Sequence, residues 1–242
     1  SLRVPAMLSS SGQHEEALSD ITLSAEPSEH GILLQQFTAR LANLTLIASG
    51  EIDLRKLPRA QRDSIPLAEL LARDYAKLCR RFEQIAPYLA QLEAPRAEIF
   101  LHPSERLGAL ADITFRADQL HATEKTPAEI NQLTVATKFP LWSNRPIFAR
   151  LAVQVETLEL PQDIQLDDVH ATLHARVSSD KTSFSLLNSQ LSIAQLRAMG
   201  TTATALSAEI DSHTLPEVKG RALAQLEHEP LELTGYADVK QR

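Results

Sequence analysis

The chain has 242 residues, of which 43% are hydrophobic and 23% charged, as in an ordinary folded protein with a sizeable buried core. Its formal net charge of -7 gives no overall positive field for nucleic acid, so we expect no nucleic-acid partner. The single cysteine, Cys79, excludes an internal disulfide framework and a cysteine-based structural zinc site.

Alternation of apolar and polar residues dominates the chain after a mixed N-terminal segment. Residues 1–19 show little periodicity and are predicted to be a loose lead-in. One such segment is residues 169–177. Its apolar residues are Val169, Ala171, Leu173, Ala175 and Val177, and they alternate with the polar residues His170, Thr172, His174 and Arg176. Successive side chains of a strand point to opposite faces, so this pattern predicts strands with one buried and one solvated face. Short turn segments between the strands favour an antiparallel meander.

One segment, residues 64–92, departs from the strand pattern. Ser64 can cap a helix, and Pro66 suits the first helical turn because its missing N–H is not needed there. Seven apolar residues then recur at steps of three and four and share one stripe: Leu71, Tyr75, Leu78, Phe82, Ile85, Leu89 and Leu92. The stripe predicts a helix over about 65–91, packed on the sheet or at its end.

These elements define the expected fold class, which is mainly β with one long α-helix, or α+β. The expected organisation is a single strand-rich domain over residues 20–242, with a helical insertion at 64–92. The apolar stripe could instead contact a partner or a membrane surface. Mixed charges opposite the stripe favour packing on the protein's own sheet.

No pattern in the chain predicts a catalytic or metal-binding site. Glycine-rich phosphate loops, serine-nucleophile elbows and zinc-protease motifs are absent. His170 and His174 have the spacing of a metal pair on a helix, but in a strand they would lie roughly 13 Å apart. We therefore expect no catalytic residue, no metal and no cofactor, and predict that the chain is not an enzyme. A triad assembled from distant residues stays open.

One aromatic segment, residues 138–146, contains the only tryptophan of the chain. Phe139, Leu141 and Trp142 could form an exposed loop that contacts a ligand, a membrane surface or a partner. The alternative is a loop that its aromatic residues hold against the core. We treat these three residues as a candidate contact loop.

Two segments share a distinctive ending. Residues 41–54 (LANLTLIASGEIDL) end in a glycine followed by a short run of acidic and apolar residues. Residues 231–239 (LELTGYADV) end in a similar pattern, with a glycine followed three residues later by an aspartate and an apolar residue. Strands rich in Leu, Ala, Thr and Ser lie between them. Over about residues 20–240 this pattern resembles the AsmA-like family of bacterial envelope proteins. The helix expected over 65–91 departs from the pure strand repeat of that family.

The resemblance implies a fragment on the periplasmic side of a bacterial inner membrane, with membrane contact made only through an upstream anchor outside this chain. It also implies a curved sheet with an apolar concave face, and a role in phospholipid transport or envelope biogenesis. The expected partners are lipid acyl chains and other envelope proteins. The candidate groove-facing residues are Ile113, Phe115, Leu151, Val153, Val155, Leu173 and Val177.

Two other functions stay open at this point. The same strands could form a structural or protein-binding β module of the cell envelope, which would use its sheet edges or the Trp142 segment as contact surfaces. An enzyme of an unrecognised type would require a concave cluster of Asp, Glu, Ser or His side chains.

Overall fold

The computed structural model describes residues 2–7, 18–53, 55, 88–104, 108–123, 127–140, 147–177, 184–212, 217–226 and 229–238. Almost all of these residues are in β-strands. The strands are β1 (Leu2–Met7), β2 (Leu18–Pro27), β3 (Gly31–Leu41), β4 (Leu44–Asp53), β5 (Leu92–Glu93), β6 (Arg96–Ser104), β7 (Gly108–Leu120), β8 (Glu129–Pro140), β9 (Ile147–Leu160), β10 (Ile164–Val177), β11 (Phe184–Ala198), β12 (Thr201–Ser212), β13 (Glu217–Leu226) and β14 (Glu229–Asp238).

The chain divides into two compact units. The first comprises residues 1–113 with 140–142, and the second comprises residues 114–139 with 143–242. β1 occupies part of the segment that the sequence suggested as a lead-in. The prediction of a single domain over 20–242 stays a prediction.

The first unit combines antiparallel pairing with one parallel pair. β1 to β4 follow one another as antiparallel neighbours, and β4 then pairs in parallel with β6. β5 pairs with β7. One set of alternating apolar residues forms the core of this unit, and its buried members are Ile21, Ala39, Leu41, Leu44, Ala48, Ala97, Leu101 and Ala111.

The second unit is built from long strands in chain order. β8 to β14 are successive antiparallel neighbours. The meander predicted from the sequence is seen here, because short connections join strands that can pair directly. The antiparallel character of the sheet is therefore confirmed, with the β4–β6 pair as a departure from it.

The predicted α+β class is wrong, because the described residues are nearly all strand. Only Tyr88 and Leu89 among them are α-helical. Residues 64–87, which make up most of the predicted helix, lie outside the described residues. Where the chain is described again, it turns at 88–91 and enters β5 at Leu92, the last residue of the predicted stripe. Leu92 belongs to the apolar stripe but lies just after the predicted helix of about 65–91, and strand pairing determines its conformation.

The parallel pair depends on a close approach at Gly50. This residue has φ of 120°, and it lies opposite Leu101 in the β4–β6 register. A Cβ atom built on Gly50 would overlap the backbone carbonyl oxygen of Leu101. Both the backbone conformation and the lack of space therefore require glycine.

Asp53 closes the same strand with a local hydrogen-bonding arrangement. Its side chain is buried, and its carboxylate accepts hydrogen bonds from the backbone N–H of Arg55 at 3.0 Å and from the guanidinium at 3.0 and 2.9 Å. The side-chain hydrogen bond to Asp53 raises the pKa of Arg55. Gly50 and Asp53, which carry part of the family resemblance, thus both have structural roles.

Asn43 connects the β3–β4 turn to the segment before β6. Its side-chain amide donates hydrogen bonds to the carbonyl oxygens of Leu89 at 2.7 Å and Leu92 at 2.9 Å. The backbone N–H of Thr45 donates to the carbonyl oxygen of Pro95 at 2.9 Å, which adds a second connection. These bonds position the chain for the parallel pairing that follows.

We predict that Gly50→Ala lowers the free energy of unfolding by at least about 3 kcal/mol, because it adds a backbone clash to an unfavourable φ. Chemical denaturation monitored by circular dichroism measures the loss. Gly200→Ala is the control, since Gly200 also has positive φ (77°) but a Cβ there meets nothing within 4 Å. The control should cost about 1 kcal/mol. Equal losses for the two variants would contradict the proposed clash.

We predict that Asn43→Ala lowers the free energy of unfolding by about 1–3 kcal/mol, because two carbonyl groups lose their hydrogen-bond donor. The same denaturation experiment measures the change. Gln36→Ala, at an exposed position of β3, should change it by less than about 0.5 kcal/mol. A neutral Asn43→Ala would show that water replaces both bonds.

Candidate functional site: an apolar sheet face

The second unit presents one face made of apolar side chains. In the β9–β10 pair, Leu151 lies opposite Leu173, Val153 opposite Ala171, and Val155 opposite Val169. Residues directly opposite each other in an antiparallel pair point to the same side of the sheet. Four predicted groove-facing residues, Leu151, Val153, Val155 and Leu173, therefore share one face.

The same registers continue these pairs into rows across the sheet. We call the following residues the apolar face: Leu133, Val155, Val169, Ile193 and Leu206 form one row; Val135, Val153, Ala171, Leu191, Ala208 and Ala222 form a second; and Ile130, Leu158, Leu166, Leu196 and Ala203 form a third. Val155 and Ala203 are buried, and the others are half-buried. Most of this surface thus keeps partial contact with solvent.

The opposite side of the same strands, here called the polar face, carries charged and hydrogen-bonding groups. Lys138, Arg150 and His174 lie opposite one another on three adjacent strands, and all three are exposed. Near the other end of the strands Arg197 forms an ion pair with Asp167 at 3.2 Å. The division into two faces follows from the two-residue period of a strand.

A row of residues without a ladder partner crosses β8 to β12 between the first and third apolar rows. Gln132, Glu156, Asp168, Ala194 and Ala205 occupy the same level on β8 to β12, and the pairing on either side of each position keeps one register. All five are exposed. Gln132, Asp168 and Ala205 have φ of 54°, 53° and 53°, outside the strand region. We call these five residues the bulge row.

The bulge row keeps the apolar face continuous. Along each of the five strands the apolar residues are spaced two apart, but across this level the spacing is three. Examples are Val155 to Leu158 in β9 and Leu166 to Val169 in β10. Without an extra residue, one end of each strand would turn its apolar side chains to the polar face. Because all five strands carry the extra residue at one level, their registers stay in step.

Ser189 is a polar residue on the apolar side, and its hydroxyl has a structural partner. It lies opposite Ile210, beside a register irregularity between β11 and β12. Ser189 is fully buried, and its Oγ accepts a hydrogen bond from the backbone N–H of His174 at 3.1 Å. The pairing of β10 with β11 is also irregular between Thr172 and Ala175, so the serine replaces a partner in the strand ladder.

The other predicted groove and loop residues are placed separately. Ile113 belongs to the first unit, and Phe115 is half-buried on the part of β7 that belongs to the second. Val177 ends β10, where its backbone pairs with Ile147. Phe139 lies in β8 rather than in a loop. Leu141 and Trp142 lie outside the described residues.

His170 and His174 both lie on β10, as the alternation predicts. His170 Nε2 is 2.7 Å from a carboxylate oxygen of Asp168, and His174 Nδ1 donates to the carbonyl oxygen of Asn188 at 3.3 Å. Each imidazole therefore has its own local partner. Across the described ranges, no group of three or more His, Cys, Asp or Glu side chains is arranged to hold a metal ion.

Sequence reasoning missed the bulge row and most of the apolar face. It identified the alternation within β9 and β10 but did not connect it across the strands. The usable signal was the recurrent three-residue apolar spacing, which flanks two polar or small residues in each of β8 to β12.

Comparisons with known proteins add no relatives: no family model, curated protein or solved structure matches the chain. In the part of the chain that the structure describes, no helix is both long enough and apolar enough to cross a membrane.

We predict that Ala205→Gly leaves the free energy of unfolding unchanged or raises it by up to about 1 kcal/mol, because glycine tolerates positive φ. Ala208→Gly, on the same strand, should instead lower it by about 0.5–1 kcal/mol, since Ala208 pairs regularly with Leu191. Thermal and chemical denaturation measure both variants. Equal destabilisation by the two changes would argue against a bulge at Ala205.

Proposed function

We propose that the second unit binds lipid acyl chains on its apolar face, and that the chain is a non-catalytic, AsmA-like component of phospholipid transport or envelope biogenesis on the periplasmic side of a bacterial inner membrane. The single observation that carries this proposal is the continuous apolar face on β8 to β12, most of which is only half-buried. The sequence resemblance to the AsmA-like family supplies the setting.

The physical argument concerns the free energy of exposed apolar surface. Each CH₂ group removed from water contributes about 0.8 kcal/mol, so an acyl chain needs no catalytic group or ion pair to bind such a face. The rows run across the strands, and neighbouring strands are about 4.8 Å apart. Five strands therefore offer an apolar strip of roughly 20 Å, comparable to the length of a membrane lipid chain.

The charge distribution is consistent with this proposal. In the three rows that define the apolar face, every side chain is Ala, Val, Leu or Ile. Charged residues of the same strands, such as Lys138 and Arg150, lie at positions of the polar face. The side chains of these three rows thus add no charge whose desolvation would oppose binding.

The test is recovery of lipid with the purified protein. The protein is expressed in a bacterial envelope and purified, and the lipids extracted from it are identified by mass spectrometry. Val153→Asp is expected to lower the amount of lipid recovered at least about tenfold, because it places a carboxylate in the apolar rows. Leu191→Asp, in the same row, should act alike.

Gln154→Asp is the matched control, because Gln154 is the exposed neighbour of Val153 on the opposite face. It should leave the lipid content unchanged. Circular dichroism confirms that each variant keeps its strands. Absence of lipid from the unmodified protein, or equal recovery from all variants, would contradict the proposal and would favour a structural or protein-binding module of the envelope.

A further inference from the structure

The polar face of the second unit contains a depression of about 330 Å³, on the side of the sheet opposite the proposed lipid surface. One cross-strand row forms its floor: His170, Ser192, Ser207 and Leu223 lie opposite one another on β10 to β13. The two short serine side chains stand between two longer ones. Three strand spacings separate the ends of this row, or about 14 Å.

The neighbouring row supplies one side of the depression. Thr172, Gln190, Glu209 and Arg221 lie opposite one another, two residues along the same four strands. Their side chains include both hydrogen-bond donors and acceptors. Glu209 and Arg221 are opposite charges on adjacent strands, so this row has no excess of positive charge for a phosphate group.

Two register irregularities lie beside this floor. One falls on β11 between Leu186 and Ser189, and the other on β12 between Thr204 and Ser207. Irregularities of this kind change the local twist and re-aim side chains, and they are common next to binding sites. The irregularity on β12 is the bulge-row position Ala205, and the one on β11 is a separate irregularity close to Gln190.

We propose that the depression is a binding site for a saccharide unit. Ser192 and Ser207 bind its hydroxyl groups from below, Gln190 and Glu209 bind them from the side, and His170 and Leu223 contact the ring from the two ends. Leu191 and Ala208 of the second apolar row also line the depression, but all the groups proposed to contact the sugar occupy polar-face positions.

The chemistry of the lining favours this ligand class over others. A sugar ring carries hydroxyls that both donate and accept hydrogen bonds, which suits the serine and glutamine groups and the accepting carboxylate of the glutamate. It also carries apolar C–H groups, and Leu223, which is 42% exposed, offers an apolar contact for them. The volume lies at the low end of the range for small-molecule sites, about 300–1,000 Å³.

The experiment is a titration of the full ¹⁵N-labelled chain by two-dimensional NMR. Glucose, galactose, mannose and N-acetylglucosamine are added separately up to about 50 mM, because a small open site is expected to bind in the millimolar range. At least one sugar should shift the amide signals of residues 190–192 and 207–209. Ser207→Leu fills the floor and should weaken that binding at least about tenfold.

Thr202→Leu is the control, because Thr202 is an exposed residue of β12 that lies outside the depression. It should keep the affinity of the unmodified protein. Absence of shifts with all four sugars, or equal affinity in Ser207→Leu, would overturn the proposal. Binding of inorganic phosphate in place of sugars would overturn the ligand class. None of these outcomes changes the lipid recovery, so the two proposals fail separately.

Discussion

The second unit depends on one geometric constraint, namely that residues opposite each other in paired strands must point to the same side. The constraint turns separate alternating sequences into two chemical surfaces. Val153, Ala171 and Leu191 are distant in sequence, yet the registers place them in one row. His170 and Ser192 are placed in a polar row in the same way. The proposed lipid and saccharide sites both follow from this separation.

The first unit depends on close backbone contact more than on extended surfaces. Gly50 allows β4 and β6 to approach, and the Asn43 amide holds the turn that brings β6 to β4. Its alternating apolar residues are more deeply buried than those of the second unit, with Ala39, Leu44 and Ala97 all below one tenth exposed. The same strand chemistry thus gives a filled core in one unit and a half-exposed face in the other.

Sequence patterns predicted the strands and the antiparallel meander well, because the two-residue period is a local property. The alternation put Leu151, Val153 and Val155 on one side of β9 and Leu173 on one side of β10, but it is the β9–β10 register that brings the two sides together. The predicted α+β class was wrong because it rested on a single segment with helical spacing that ends at Leu92, where the chain enters β5. The described residues are nearly all strand. The Ser192–Ser207 floor could not be predicted, since its two halves meet only through the β11–β12 register.

The bulge row also links the lengths of five strands. A residue lost from β10 near Asp168 would turn one arm of that strand over, presenting His170 to the apolar side and Val169 to water. Its neighbours would still carry their own extra residues at Glu156 and Ala194, so the defect could not be repaired within β10 alone. In related sequences, we therefore expect an insertion or deletion at this level in one strand to be accompanied by the same change in the other four strands of β8 to β12.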